Sequence, residues 1–363
     1  MRFVTLLIFH APVLIYCYLL ACHGATHLCS QHGSPVILQS GHHVRAKTNS
    51  PIFGVLTQPV PSDWKDYKEQ TFVESSNIEF LQAAGARVVH LDYRMSQKEL
   101  KGELEQLNGL YIPGDTKAAY MDGEFINTVG NILNWAETHN NSESHHFPIV
   151  GVSWGMMSML KSQMRDTSKL VDLPEWMAGE ALQQNLNLTP FETFTYDEMS
   201  PAGLEGLLDK IDFYNELDIG LALRDFNVNR GMRAFVPVAT WDSDTTSVNR
   251  FDEYVSMIEG HYHPFFGFGY RLDKVQFGFH ATGTDGHSKV DHHKKSIQHA
   301  QRIANLIVDE ARLSENRYKW TNDENERLIK NQDVKFIDLP SPHSFVESKE
   351  YDETYRTELY FFQ

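Results

Sequence analysis

Pro148-Ile149-Val150-Gly151-Val152-Ser153-Trp154-Gly155-Met156-Met157 is the stretch that decides the fold. An apolar run of strand length meets a turn bracketed by glycines, and a helix starts beyond it. This strand, turn and helix is how a nucleophile elbow is written. Such a turn lifts its apex side chain, here Ser153, above the edge of a parallel sheet. It also points the next backbone N–H, that of Trp154, into the same space. The apex residue therefore largely decides the chemistry. Cys17, Cys22 and Cys29 all lie far upstream, so no thiolate can act at the apex.

Outward from the elbow the pattern alternates. Ile52 to Thr57, Ala86 to Leu91, Gly109 to Ile112 and Ile149 to Val152 are short, apolar and β-prone. Between them, Phe72 to Ala84 (ending at Gly85), Ser96 to Gln106 and Tyr120 to Thr138 read as helices. Alternation of this kind predicts an α/β fold, a parallel sheet with helices on both faces. Beyond Ser200, Ala234 to Thr240, Tyr254 to Glu259 and Phe265 to Tyr270 read as further strands, and Ser296 to Arg312 as an amphipathic closing helix.

The 363 residues, 41% hydrophobic, suffice for one large domain, placed at residues 51–312. Residues 313–363 turn polar and charged, which predicts an appended tail with little core of its own. Residues 25–50 are rich in Gly, Ser and His without hydrophobic period and read as a leader. Residues 1–24 begin Met-Arg, run apolar from Phe3 to Ala21 and reach small residues by Gly24, which is the form of a secretory signal peptide. The run is close to membrane-spanning length, so an uncleaved anchor is the alternative. Either way the remainder is expected in a lumen or outside the cell.

In that compartment the sequons at Asn140 and Asn187 become glycosylation candidates. Cys29 would be the one cysteine left after cleavage, which excludes an internal disulfide framework. The formal charge of -16, with no Lys/Arg-rich stretch, excludes a nucleic-acid footprint and disfavours anionic membranes.

Five fragments can be read together: Pro51 to Gln58 (PIFGVLTQ), Ala83 to Val89 (AAGARVV), Asn108 to Gly114 (NGLYIPG), Phe147 to Gly155 (FPIVGVSWG) and Ile258 to Gly267 (IEGHYHPFFG). In order and spacing they resemble the γ-glutamyl hydrolases, relatives of the class I glutamine amidotransferases. The resemblance covers about residues 51–312. It implies a flavodoxin-like α/β domain, a secreted or lysosomal location, a homodimer, and ancestry in an enzyme that trims γ-linked glutamates from folylpolyglutamate.

The same resemblance places the family's catalytic Cys at Ser153, its base at Arg271 within Tyr270-Arg271-Leu272-Asp273, and the carboxylate that orients the base at Asp273. The oxyanion positions fall at Gly114, Asp115 and Trp154, and an aromatic residue of the family stands as Asn77. The nucleophile and the base are both changed. A thiol gains reactivity from a lowered pKa, whereas a serine hydroxyl needs a partner base. Arg271 cannot be that base, because a guanidinium stays protonated and only donates. Asp273 is expected to pair with Arg271 and turn the former dyad into a salt bridge.

Losing a general base forfeits about 10² to 10⁴ in rate. The reading is therefore a scaffold without turnover, serving a binding, structural or assembly role. Alternatives are a Gly-x-Ser-x-Gly hydrolase using another histidine, residual γ-glutamyl peptidase activity, and a membrane-anchored subunit of a larger complex. His261, His263, His280 and His287 are the nearest replacement bases, with His263 read as structural or surface. His287, Asp291, His292 and His293 match no metal-ligand spacing and stand beside Lys289, Lys294 and Lys295, so neither a metal nor another cofactor is expected. Trp154 and Tyr270 are read as core packing. Arg271, Lys274 and the Trp154 N–H are the groups that would hold a glutamyl-like carboxylate if the scaffold binds one.

Overall fold

The structure, a computed structural model, describes residues 46–68, 70–142, 145–173, 181–184, 186–188, 211–214, 217–228, 235–241, 254–278, 290, 292–318, 325–340 and 354–363. The signal peptide or anchor with Cys17 and Cys22, most of the leader with Cys29, and His280, His287, Lys289 and Asp291 lie outside the described residues. In chain order the elements are β1 (Ile52–Leu56), β2 (Gln58–Pro59), β3 (Thr71–Glu74), α1 (Ser75–Ala83), β4 (Arg87–Leu91), α2 (Gln97–Leu104), β5 (Gly109–Ile112), α3 (Lys117–Met121), α4 (Gly123–Asn140), β6 (Ile149–Val152) and α5 (Trp154–Gln163). They continue with β7 (Leu170–Asp172), β8 (Ala181–Gln184), β9 (Leu186–Leu188), β10 (Ile211–Tyr214), β11 (Ile219–Leu221), α6 (Leu223–Val228), β12 (Phe235–Trp241), β13 (Tyr254–Gly260), β14 (Phe265–Phe268), α7 (Lys274–Phe277), α8 (Lys294–Arg312), β15 (Val334–Pro340) and β16 (Thr354–Phe362).

Eight strands form the central sheet in the order β4-β1-β5-β6-β14-β13-β12-β9. The first five are parallel, while β13 runs antiparallel to both β14 and β12, and β9 antiparallel to β12. The α/β class and its largely parallel sheet are thus as the alternation predicts, with an antiparallel extension beyond β14. Every residue of β1, β5, β6 and β14 is buried, which is why these strands read as unbroken apolar runs rather than alternating ones. Strand β6 joins β5 and β14 with Gly151 level with Ile112 and Gly267. The carboxyl ends of the three central strands therefore lie together, the position where α/β sheets build their sites.

Local chemistry explains most boundaries. Ser96 caps α2 in a capping box with Glu99, and Gly85, at φ 91, takes the left-handed turn after α1. The helix expected from Tyr120 to Thr138 is instead two, because Asp122 is extended and its side chain accepts the Phe125 N–H as the N-cap of α4.

Two expectations differ from the structure more substantially. Phe72 to Glu74 is strand, not the start of a helix: β3 pairs antiparallel with β16, Thr71 facing Phe362 and Glu74 facing Leu359. The C-terminal stretch, expected to be polar with little core, supplies β15 and β16 to a four-stranded sheet of order β15-β16-β3-β2. Leu359 and Phe362 are buried there. The periodicity of Thr71 to Glu74 alone cannot reveal a partner lying almost 300 residues away.

Candidate functional site

Ser153 sits between β6 and α5 at φ 53 and ψ -121, the one non-glycine residue with positive φ among those described. Such a backbone costs about 1–3 kcal/mol and persists only where its surroundings impose it. Three contacts impose it here. The Ser153 N–H donates to the Phe268 carbonyl at 2.7 Å, and the Met157 N–H donates to the Ser153 carbonyl at 3.2 Å. Gly155 lies so close to β5 that a Cβ there would stand 2.0 Å from the Ile112 carbonyl oxygen. Gly114, on the oxyanion side, likewise backs onto the elbow, since a Cβ on it would stand 2.3 Å from the amide nitrogens of Trp154 and Gly155. The shape of a nucleophile elbow is intact.

Ser153 is fully buried, and its Oγ has no hydrogen-bond partner among the described residues. The position that the resemblance assigns to the base holds the Arg271 guanidinium, whose side chain is 0% exposed. Arg271 binds Asp273 through two bonds, Nε to Oδ1 at 2.9 Å and Nη2 to Oδ2 at 2.6 Å. Its Nη2 also lies 3.0 Å from Glu74 Oε2 and 2.8 Å from Asp115 Oδ1.

Lys274 pairs with the other oxygen of Glu74, which also accepts from Thr357 Oγ1 at 2.7 Å. Ser76 Oγ donates to Asp273 at 2.6 Å; Asn77 Nδ2 donates to Asp115 at 2.8 Å, and Gln58 Nε2 does so at 2.5 Å. Three carboxylates thus enclose two cations in a hydrogen-bonded cluster. The Arg271–Asp273 salt bridge expected from sequence is present.

Burial works against ionisation of Asp273, but the charge and hydrogen bonds of Arg271, aided by Lys274, outweigh it and hold this carboxyl below its usual range. At Asp115 burial wins over the same guanidinium and pushes the carboxyl up. Burial also raises Tyr111, whose hydroxyl donates to Asn77 Oδ1 at 3.1 Å. None of these groups is hydrogen-bonded to Ser153 Oγ.

No family model matches the chain. Gamma-glutamyl hydrolase 1 of Arabidopsis thaliana is 27% identical over 274 residues, covering 74% of this chain and 73% of its own. The chain is a distant relative of the γ-glutamyl hydrolases. Gamma-glutamyl hydrolase B of Dictyostelium discoideum is 22% identical over 276 residues, covering 76% of this chain and 75% of its own. Among solved structures, PurLQS from Thermotoga maritima is similar over 71% of this chain and 98% of its own, at TM-score 0.40 and 14% identity.

Of the four replacement bases, His261 and His263 fall away from the elbow, while His280 and His287 lie outside the described residues. His261 and His263 precede β14, whereas Ser153 bonds the carbonyl at its far end. At about 3.3 Å per residue that separation is roughly 16 Å. His292 Nδ1 lies 3.0 Å from the Val275 carbonyl oxygen. His299 Nε2 lies 3.0 Å from the Tyr270 hydroxyl, whose proton burial holds in place.

Trp154 packs on Tyr120 at 5.4 Å between ring centroids, with Lys117 over its face, and so belongs with Tyr270 to the core. Among the described residues no group of three or more His, Cys, Asp or Glu side chains is arranged to hold a metal ion. Asn140 is half-buried and exchanges two bonds with Phe147, its Oδ1 accepting from the backbone N–H at 2.8 Å and its Nδ2 donating to the carbonyl at 3.0 Å. Asn187 lies in edge strand β9 opposite Thr240 rather than in a turn.

Sequence reading named Arg271, Asp273, Asp115 and Lys274 but missed Glu74, Ser76, Gln58 and Thr357, which complete the cluster. The one signal available was charge: a glutamate ending the β-prone Thr71-Phe72-Val73 run has to be paired if it is buried.

Proposed function

We propose that this chain is a γ-glutamyl-hydrolase-like protein that keeps the hydrolase scaffold without turning over substrate by a thiolate and imidazole route, and that it serves a binding, structural or assembly role. The observation that carries this reading is Arg271, a permanent cation at the base position with its charge spent on Glu74, Asp115 and Asp273. The same carboxylates occupy the two cations that would otherwise hold a glutamyl-like ligand, which favours a protein partner over a small one. Incubation with folylpolyglutamate or a γ-glutamyl dipeptide is expected to give no product. Robust cleavage abolished by Ser153→Ala would overturn the reading.

A serine hydrolase is the second reading, favoured by the strained backbone retained at Ser153. It requires labelling of Ser153 by a fluorophosphonate probe; absence of labelling removes it. We place the folded part in a lumen or outside the cell, after cleavage near Gly24. Among the described residues no helix is long and apolar enough to cross a membrane. The mass of the native N-terminal peptide tests this, since a chain that keeps residues 3–21 is anchored instead.

A further inference from the structure

At the end of β6 opposite the elbow, His139 lies in the last turn of α4, and His145 and His146 lie in the stretch that leads into the strand. The His139 ring stacks on Trp135, with 4.6 Å between centroids and 20° between planes, and on the exposed His145, with 4.2 Å and 6°. Phe147 meets Trp135 and His139 edge to face, at 5.0 and 6.2 Å. The two bonds between Asn140 and Phe147 fix the chain at this point. Parallel imidazoles this close attract only while at least one of them is neutral, because two imidazolium rings repel. His139 Nε2 is buried without a hydrogen-bond partner among the described residues, so a proton added there finds no acceptor. Of the groups around His139, Trp135 and Phe147 carry no charge, and Glu137 is two positions away on α4 and points elsewhere. Glu315, which feels the charge of His145, is held by Lys47 at 2.6 Å. His146 responds to acid the other way. Its Nε2 lies 2.7 Å from Glu310 Oε2 on α8, so a proton turns that contact into an ion pair and tightens it.

We propose that the His139–His145 stack is an acid-sensitive switch: in acid the His145 ring leaves His139 and uncovers the Trp135–His139 face, while the His146–Glu310 pair and the Asn140–Phe147 bonds keep the start of β6 in place. Burial, and then the charge of His145, lowers His139 from 6.5 to about 4 in the stacked form. A histidine depressed in this way favours the stacked form above its ordinary value, and that preference is lost as pH falls from about 6.5 to about 4. Over that window the ratio of parted to stacked forms rises by up to about 10²-fold. Nothing in the switch depends on Ser153, which stands at the other end of β6.

Acrylamide, an uncharged quencher, reads the exposure of Trp135 when its emission is taken as the difference between each protein and its Trp135→Phe counterpart. From about pH 7.5 to about pH 4.5 the quenching constant is expected to rise at least about twofold in the parent. It is expected to stay level in His139→Phe, which keeps a ring for His145 to stack on but takes no proton. Amides of residues 149–152 stay protected from hydrogen exchange over the same range. An equal rise in His139→Phe, or no rise in the parent, overturns the switch. The parent decides alone if His139→Phe does not fold: exposure of Trp135 while residues 149–152 remain protected supports the switch, and exposure only together with loss of that protection overturns it.

Discussion

Ser153 combines two costs that a protein ordinarily avoids, a backbone conformation suited to glycine and a buried hydroxyl without a described partner. Ser153→Gly removes both and adds only the entropy of a glycine. It is expected to raise the free energy of unfolding by about 1–2 kcal/mol, measured by urea titration at constant slope. A loss of stability instead would mean that the hydroxyl is held by a bound solvent molecule. Arg271 poses the opposite case, because its neighbours depend on it. Arg271→His, which puts an imidazole at this position, leaves Glu74, Asp115 and Asp273 facing Lys274 alone. Unpairing buried charge of this kind costs about 3–5 kcal/mol. The doubly substituted Ser153→Cys, Arg271→His protein is therefore expected to melt early and to show no γ-glutamyl hydrolase activity; a stable, active double variant would show that the carboxylates can readjust.

At the level of elements, the elbow survives because β5, β6 and α5 approach backbone to backbone. Gly155→Ala is expected to destabilise by more than about 3 kcal/mol, since its Cβ would meet the Ile112 carbonyl at 2.0 Å and no flexible side chain is there to yield. Gly102→Ala in α2 is the control, with nothing within 4 Å of the added Cβ and a gain of up to about 1 kcal/mol from helix propensity. Equal behaviour of the two would deny the close approach. Elements also mark where sequence reading succeeds. Strands β5 and β6 fall where apolar runs place them, and α2 begins at the Ser96 capping box, because each signal lies within a few residues. Strand β3 carries no such local signal, whereas the split between α3 and α4 carries one in the cap residue Asp122. Strand β3 owes its state to pairing with β16, and the split to one aspartate that caps a helix instead of continuing it.

For the molecule as a whole, stability should depend on acid through its buried histidine. Burial, helped by the charge of Arg302, lowers His299 from an ordinary 6.5 to about 4. A histidine whose folded pKa is depressed stabilises the fold above its unfolded pKa, and that contribution is lost as pH falls from about 6.5 to about 4. At about 1.4 kcal/mol per unit, the loss is on the order of 3 kcal/mol over the window. Asp115, raised by burial, acts with the opposite sign and favours the fold at low pH. The difference between the parent and His299→Gln isolates the histidine. Urea unfolding at pH 7, 5.5 and 4 is expected to show the parent losing stability faster than the variant; parallel curves would place the proton elsewhere.

The amino-acid sequence by itself determined the largely parallel sheet and the elbow with Ser153 at its apex, since apolar runs and glycine spacing are properties of short stretches. Only the tertiary structure decided what fills the space beside the elbow. Glu74 reaches Arg271 across 197 residues and Thr357 reaches Glu74 across 283. Whether a charge is paired in water or buried among carboxylates depends on which distant segments fold over it, and that desolvation is set by packing in three dimensions rather than by any local pattern.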